Sequence, residues 1–347
     1  MNEEQKILKN FKGVIDSTLR EGFQFSQADF SLKDKKEIFD RLSGIGVDYI
    51  EMGNPSKPEI RDMISAVIGS RRERGVRVLC HIRNHALDVE QAIKCGADGI
   101  NVLCTADAER LAGMGMARET YLFNLASNVS RARQCGLEVR VGIEDFYGQP
   151  ADFSSDIYLQ AESLGVDRIS IADTLGKVMG WDVRERIGEL RNRIRTDIEV
   201  HFHNDLGHAV SNAVTALAAG ANWVSTSLLG IGERTGITPL SSFLANLYVI
   251  EPEIANRYDL SLLTEAENFV AGLCGIDMPP HLLTNSNNGF AHKAGIHLNA
   301  VLRFGPQKYE PLPPGVIGNR RNLVINTLIS GRTTEAEVEE FNRRTGN

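Results

Sequence analysis

Read for its apolar and polar positions, the chain repeats one unit eight times, a short β-rich apolar run followed by a stretch with helical spacing. The apolar runs fall at residues 14–19, 49–52, 76–82, 99–104, 138–143, 168–172, 198–202 and 223–229. Helical periodicity fills the intervals at 32–45, 58–73, 86–95, 117–135, 156–164, 181–194 and 209–219, and returns at 241–248 after the last run. Many runs follow the same signal, a glycine, an apolar residue and a polar one, as in Gly46-Val47-Asp48 and Gly96-Ala97-Asp98. A glycine just past a helix takes the left-handed capping conformation without the steric cost of a Cβ. Strands alternating with helices at this spacing predict an α/β fold with a parallel sheet, and eight units predict closure into a (β/α)8 TIM barrel. A doubly wound open sheet is the alternative, but no Gly-x-Gly-x-x-Gly opens a helix to support it.

Beyond residue 255 the pattern changes. Residues 262–274 are helical, Pro279-Pro280 breaks the chain, and His292-Lys293-Ala294-Gly295-Ile296-His297 lies in a Gly/Asn-containing, helix-poor stretch. Pro306, Pro311, Pro313 and Pro314 precede an acidic helix at 335–344. The expected organisation is a catalytic barrel over 1–255 and an extension over 256–347 packed outside it, too short for a separate regulatory domain.

Composition narrows the function. At 347 residues, 42% hydrophobic and 24% charged, the chain has ample material for a core. A formal charge of −7 argues against nucleic acid or an anionic membrane as partner, and Arg71-Arg72-Glu73-Arg74 and Arg320-Arg321 are read as solvated faces. The N-terminal segment is polar and no window approaches 18 uninterrupted apolar residues, so the cytoplasm is expected. The five cysteines are an odd number without a C-x-x-C pair, and Cys80 and Cys104 fall within apolar runs as buried thiols.

In such a barrel, chemistry gathers at the C-terminal ends of the strands. The seventh run ends in Glu199-Val200-His201-Phe202-His203-Asn204-Asp205, and alternation puts His201 and His203 on one side. Two neutral imidazoles and one carboxylate hold a divalent metal with coordination positions left open, which suits bidentate capture of a 2-oxo acid. The carboxylate is expected from Asp16-Ser17-Thr18-Leu19-Arg20-Glu21-Gly22. Asp16 and Glu199, by parity or by lying earlier, are expected behind the ligands. Arg20 is placed to stabilise an oxyanion. Arg140 and His81 are candidates for a distal anionic group, the alternative being an ion pair of Arg140 with Glu144 or Asp145.

These motifs, with Gly230-Ile231-Gly232-Glu233-Arg234 and His292 to His297, resemble the isopropylmalate synthase/homocitrate synthase family of metal-dependent acyl-CoA condensing barrels, from about Phe11 to Arg332. His81-Ile82-Arg83, the run from Gly230 to Leu240 and the short extension are most similar to homocitrate synthases. The resemblance implies a Claisen condensation of acetyl-CoA with an anionic 2-oxo acid (2-oxoglutarate), then thioester hydrolysis. It implies Mg, Mn or Zn on Glu21, His201 and His203. Arg20, Gln24, Glu144, His297 and Tyr309 are the expected catalytic residues, and Arg20, His81, Asn101, Arg140, Gly142 and Thr174 the expected substrate contacts. His297 and Tyr309 would complete the site of a partner subunit in a homodimer.

The sequence departs from the family pattern at Phe23 (for Glu), Asn101 (for Asp) and Gly142 (for Ser), and the spacing from His297 to Tyr309 is one residue longer. Loss of two carboxylates and a side chain predicts a roomier, more positive pocket, so phosphonopyruvate is the alternative acceptor. An acyl-CoA lyase is a further alternative, opposed by the lack of a cysteine in Gly230 to Gly236.

Overall fold

The computed structural model describes residues 2–70, 75–325 and 334–344. The Arg71 to Arg74 cluster, the expected end of the helix at 73 and the expected limit at Arg332 lie outside the described residues. Eight strands, β1 (Gly13–Asp16), β2 (Tyr49–Met52), β3 (Arg77–Arg83), β4 (Gly99–Cys104), β5 (Glu138–Ile143), β6 (Arg168–Asp173), β7 (Asp197–Phe202) and β8 (Trp223–Thr226), form a closed barrel in chain order. All pairings are parallel, and the barrel closes with Val14 of β1 opposite Val224 of β8. The open-sheet alternative is excluded.

Helix α1 (Glu3–Asn10) precedes β1. The strands then alternate with α2 (Leu32–Ile45), α3 (Pro58–Ser70), α4 (Ala86–Cys95), α5 (Ala108–Gly113), α6 (Arg118–Gln134), α7 (Ala151–Ser163), α8 (Gly180–Arg193) and α9 (Ala209–Ala219), and α10 (Leu240–Ile250) follows β8. Period-2 alternation sorts the strand residues. Val14, Ile50, Val78, Ile100, Val139, Ile169, Ile198 and Val224 are buried in one core with apolar residues of the helices. The residues of opposite parity fill the barrel.

At the N-terminal end that filling is a plug. Ile15, Tyr49 and Leu79 cluster with Trp223, and the Arg168 guanidinium lies 4.0 Å from the Tyr49 ring and 4.6 Å from the Trp223 ring. Glu138 accepts from Arg168 at 3.2 Å. This plug fills the N-terminal end, and the polar interior residues lie above it, nearer the C-terminal rim.

The glycine signal holds where it is needed: Gly46 and Gly96 cap α2 and α4 at φ +90° and +71°. Cys80, Cys95, Cys104 and Cys274 are buried thiols, and Cys135 is exposed. Several boundaries differ from expectation. β8 ends at Thr226 rather than 229, because Leu229 turns the chain at φ +58°. α7 begins at Ala151, directly after Pro150 and ahead of the expected 156. α1 was not anticipated, although Asn2 and Gln5 form a capping box at its start.

In the extension, α11 (Leu263–Cys274) packs against α2 and the turn after β8. The stretch expected to be helix-poor contains α12 (Gly295–Phe304), which carries His297. α12, α13 (Glu335–Arg344) and β10 (Asn322–Leu323), which pairs with β9 (Ala291–His292), contribute Leu298, Val301, Leu323 and Val338 to a small second core. Among the described residues, no helix is long and apolar enough to cross a membrane.

Candidate active site

Polar interior residues line a cavity of about 310 Å³ at the C-terminal end of the barrel. Its wall carries Arg20, Glu21, Gln24, His81, Asn101, Arg140, Gly142, Glu144, Thr174, His201 and His203. Eleven expected site residues, from six strands and their following turns, therefore converge here. Strand register explains the convergence. His81, Asn101 and Arg140 are successive cross-strand partners, as are Gly142, Ser170 and Glu199, so each set runs around the inner wall.

The ligand atoms of Glu21, His201 and His203 all lie within 4.8 Å of one another, and all three residues are buried. Glu21 follows a tight turn in which the Arg20, Glu21 and Gly22 N–H groups all point to the Ser17 carbonyl. One carboxylate oxygen accepts from the Glu233 N–H at 3.1 Å, and the other takes the Arg20 guanidinium. Burial alone would raise the Glu21 carboxyl, but Arg20, then His201, pulls it down to about 2. Burial, aided by Arg20, holds His201 well below the usual imidazole range, and His203 is lowered chiefly by burial. Two neutral imidazoles and an ionised carboxylate are a donor set that suits a divalent cation.

The residues behind these ligands fit the same purpose. His201 Nδ1 contacts Ser225 Oγ at 3.0 Å, which leaves Nε2 for a metal. Ser225 Oγ contacts Ser17 Oγ at 3.1 Å, and Ser17 donates to Glu51 at 3.0 Å. Glu51 also accepts from Arg20 Nε at 2.6 Å and from Asn101 Nδ2 at 3.4 Å, and contacts His81 Nδ1 at 3.2 Å. Burial, reinforced by Arg20, lowers His81 to about 3, so its ring is neutral. Glu51 is thus the hub that fixes Arg20, His81 and Asn101. Its place at a strand end was visible in the sequence; its partners, from four other strands or their turns, were not.

Arg140 pairs with neither Glu144 nor Asp145. It donates to both oxygens of Glu199 and to Glu51, and its Nε has no partner among the described residues. Glu144 instead takes the guanidinium of Arg110, and the Asp145 N–H donates to Thr174 Oγ1 at 2.9 Å. Glu199 therefore does not point away from the ligands. Residues 199, 201 and 203 share parity, and Glu199 lies one layer deeper on the same inner wall. Asp16 does point elsewhere, accepting from the Thr18 N–H at 2.8 Å.

The departures from the family pattern separate spatially. A Cβ added at Gly142 would lie 2.9 Å from Asn101 Oδ1, a buried oxygen without a partner among the described residues. Those two positions form one feature of the main cavity. Phe23 faces a second cavity of about 260 Å³, with Leu19, Ile60, Ile82 and Lys57, which shares Arg20, Gln24, His81 and Leu103 with the first. Phe23, expected to alter the same pocket as Asn101 and Gly142, therefore does not line the main cavity with them.

His297 and Tyr309 do not line the main cavity of their own chain. They lie together in the extension, rings stacked with centroids 3.9 Å apart. Beside them His292 Nε2 contacts Glu310 at 3.0 Å, and Arg321 donates to the same carboxylate at 2.7 Å.

Residues 13–270 match the HMGL-like family model, and residues 285–344 match that of the homocitrate synthase post-HMGL domain-like region. The chain is 37% identical over 342 residues to the mitochondrial homocitrate synthase of Schizosaccharomyces pombe, covering 96% of this chain and 80% of that protein. It is 32% identical to the homocitrate synthase AksA of Methanothermobacter thermautotrophicus, covering 94% of this chain and 83% of that protein. Among solved structures, the hydroxymethylglutaryl-CoA lyase of Pseudomonas aeruginosa superposes with a TM-score of 0.68 at 22% identity, over 78% of this chain and 95% of that one. At that identity the likeness concerns the fold.

Proposed function

From the premise that this chain belongs to the HMGL-like family, we propose that it is a condensing enzyme of the homocitrate synthase type, joining acetyl-CoA to 2-oxoglutarate. The observation that carries the reading is the Glu21, His201 and His203 set beside Arg20 in a polar cavity. A divalent ion (Mg, Mn or Zn) held by those three residues would polarise the 2-oxo group and fix its orientation.

The remaining steps belong to the chain. Arg20, fixed by Glu51 and Glu21, faces the cavity and stabilises the oxyanion that develops on the acceptor carbonyl. Arg140, His81 and Thr174 orient the acceptor. The adjoining cavity, with apolar walls of Leu19, Phe23 and Ile82 and with Lys57 among its lining residues, suits the thioester arm, and Gln24 lies where the two cavities meet. His297 and Tyr309 of a second subunit, with Glu144, serve proton transfer: the acetyl methyl loses a proton, its carbon attacks the acceptor, and water then cleaves the thioester to release CoA thiol. The working unit is a homodimer of a barrel (1–255) and an extension (256–347), and its compartment is the cytoplasm.

A second reading, phosphonopyruvate as acceptor, draws on the missing side chain at Gly142 and the unpartnered Asn101 oxygen beside it. Thiol release from acetyl-CoA, followed in parallel with 2-oxoglutarate, phosphonopyruvate, oxaloacetate, pyruvate and 2-oxoisovalerate, separates the two. A dominant rate with 2-oxoglutarate supports the first reading, and one with phosphonopyruvate the second. Release with none of them would overturn both.

A further inference from the structure

The turn after β8 is held from outside the barrel. Leu229 adopts φ +58°, a left-handed conformation that costs a residue with a side chain, and Gly230 follows at φ +69°. The rest of the turn is closely packed. The Ile237 N–H returns to the Gly230 carbonyl at 2.9 Å, and a Cβ on Gly236 would collide with the same carbonyl. A Cβ on Gly232 would lie 3.0 Å from Glu21 Cγ, and the next residue, Glu233, donates its N–H to Glu21. The shape of this turn therefore sets where the Glu21 carboxylate sits.

One buried side chain secures its start. Glu267, on α11, is fully buried and accepts from the Leu229 N–H at 3.0 Å, while its other oxygen takes the Thr284 hydroxyl. Among the described residues no basic side chain pairs with it. An apolar side chain would fill the space without the cost of burying a carboxyl, but it would leave the Leu229 N–H buried and unmet. Burial raises the Glu267 carboxyl above its ordinary range.

We propose that Glu267 is a positioning residue: α11 fixes the turn after β8 through it, and thereby holds Glu21 in place to bind a metal. The inference rests on the proposed metal role of Glu21, and its test separates the two. Mn²⁺ affinity is measured by calorimetry on metal-free wild-type protein and on the Glu21→Ala, Glu267→Leu and Glu267→Gln variants. Amide exchange at Leu229 and Glu233 is followed in the same metal-free samples.

Glu267→Leu should weaken Mn²⁺ binding roughly tenfold or more and speed exchange at both amides. Glu267→Gln, which retains an acceptor for Leu229 and can donate to Thr284, should stay close to wild type in both. If Glu267→Leu does not fold, Thr284→Val removes the second anchor and should show the same shifts at smaller amplitude. Faster exchange in a protein whose wild type binds no Mn²⁺ would refute the metal reading while leaving the buttress intact. A folded Glu267→Leu protein with Mn²⁺ affinity within about twofold of wild type and unchanged exchange at Glu233 would overturn the proposal.

Discussion

Arg140 donates from Nη1 to both carboxylate oxygens of Glu199, at 2.6 Å each, with both side chains buried on the inner wall of the barrel. Glu51 takes its Nη2, so this cation is already balanced before any substrate arrives. Burial lowers the Arg140 guanidinium to about 10, with Glu199 opposing the fall, and it stays charged at neutral pH. A distal anion bound here, as proposed, would share a guanidinium whose Nε alone lacks a partner among the described residues.

Arg140→Ala should therefore have two effects. Losing a charge-assisted hydrogen bond of about 1.5–3 kcal/mol should lower acceptor kcat/KM on the order of tenfold to a hundredfold, with the acetyl-CoA KM much less affected. Leaving Glu199 without its cation, and Glu51 with Arg20 alone, should cost roughly 3–5 kcal/mol of stability. Steady-state kinetics against both substrates and denaturant unfolding measure the two effects separately. Lost stability with unchanged acceptor kinetics would confine Arg140 to a structural role.

Metal content should follow the two histidines. His201→Ala or His203→Ala should abolish turnover and lower bound metal, measured by elemental analysis of the purified protein. Ser225→Ala, which frees the His201 ring without removing it, should weaken metal affinity by about tenfold to a hundredfold. Full activity in metal-free protein would refute this assignment.

Subunit complementation tests the role of the extension. Arg20→Ala and His297→Ala proteins should each be inactive, and a mixture unfolded and refolded together should regain activity. Size-exclusion chromatography of the refolded mixture should show an assembly of at least two chains. A monomer active at assay concentration would rule the shared site out.

Gly142 and Asn101 should act as a pair, because a side chain at one meets the other. The double change Gly142→Ser with Asn101→Asp should raise kcat/KM for 2-oxoglutarate relative to phosphonopyruvate. An unaltered ratio would make these departures neutral to acceptor choice.

Asp16 predicts a pH dependence of stability. Burial pushes its carboxyl up to about 7, against an ordinary value near 4 in the unfolded chain. Between those values the folded state holds a proton that the unfolded state has released, so stability falls as pH rises through this window and levels off above it. The full effect is on the order of 4 kcal/mol. Asp16→Asn, which retains an acceptor for the Thr18 N–H, removes the titration, so its Tm relative to wild type should climb from pH 4.5 to pH 8. A constant difference across that range would show that Asp16 does not titrate there.

The barrel was legible in the sequence because its rules are local. Apolar runs such as 49–52 and 138–143 marked the strands, glycines such as Gly46 and Gly96 marked helix ends, and parity put His201 beside His203. α1 was missed: its Asn2/Gln5 capping box was a local signal, but its mostly polar sequence hid it. The partner of Arg140 was of another kind. Parity could have placed Glu199 on the wall of His201, yet only barrel closure and register bring a β7 carboxylate to an arginine of β5, with a β2 carboxylate from across the barrel. Glu267 is a starker case, since nothing in α11 signals that its buried carboxyl meets a backbone N–H some forty residues earlier in the chain. Local periodicity thus fixed the elements and the side each residue faces. The pairing of buried charges was decided by tertiary structure, because a charge withdrawn from water takes the partner that the closed fold delivers.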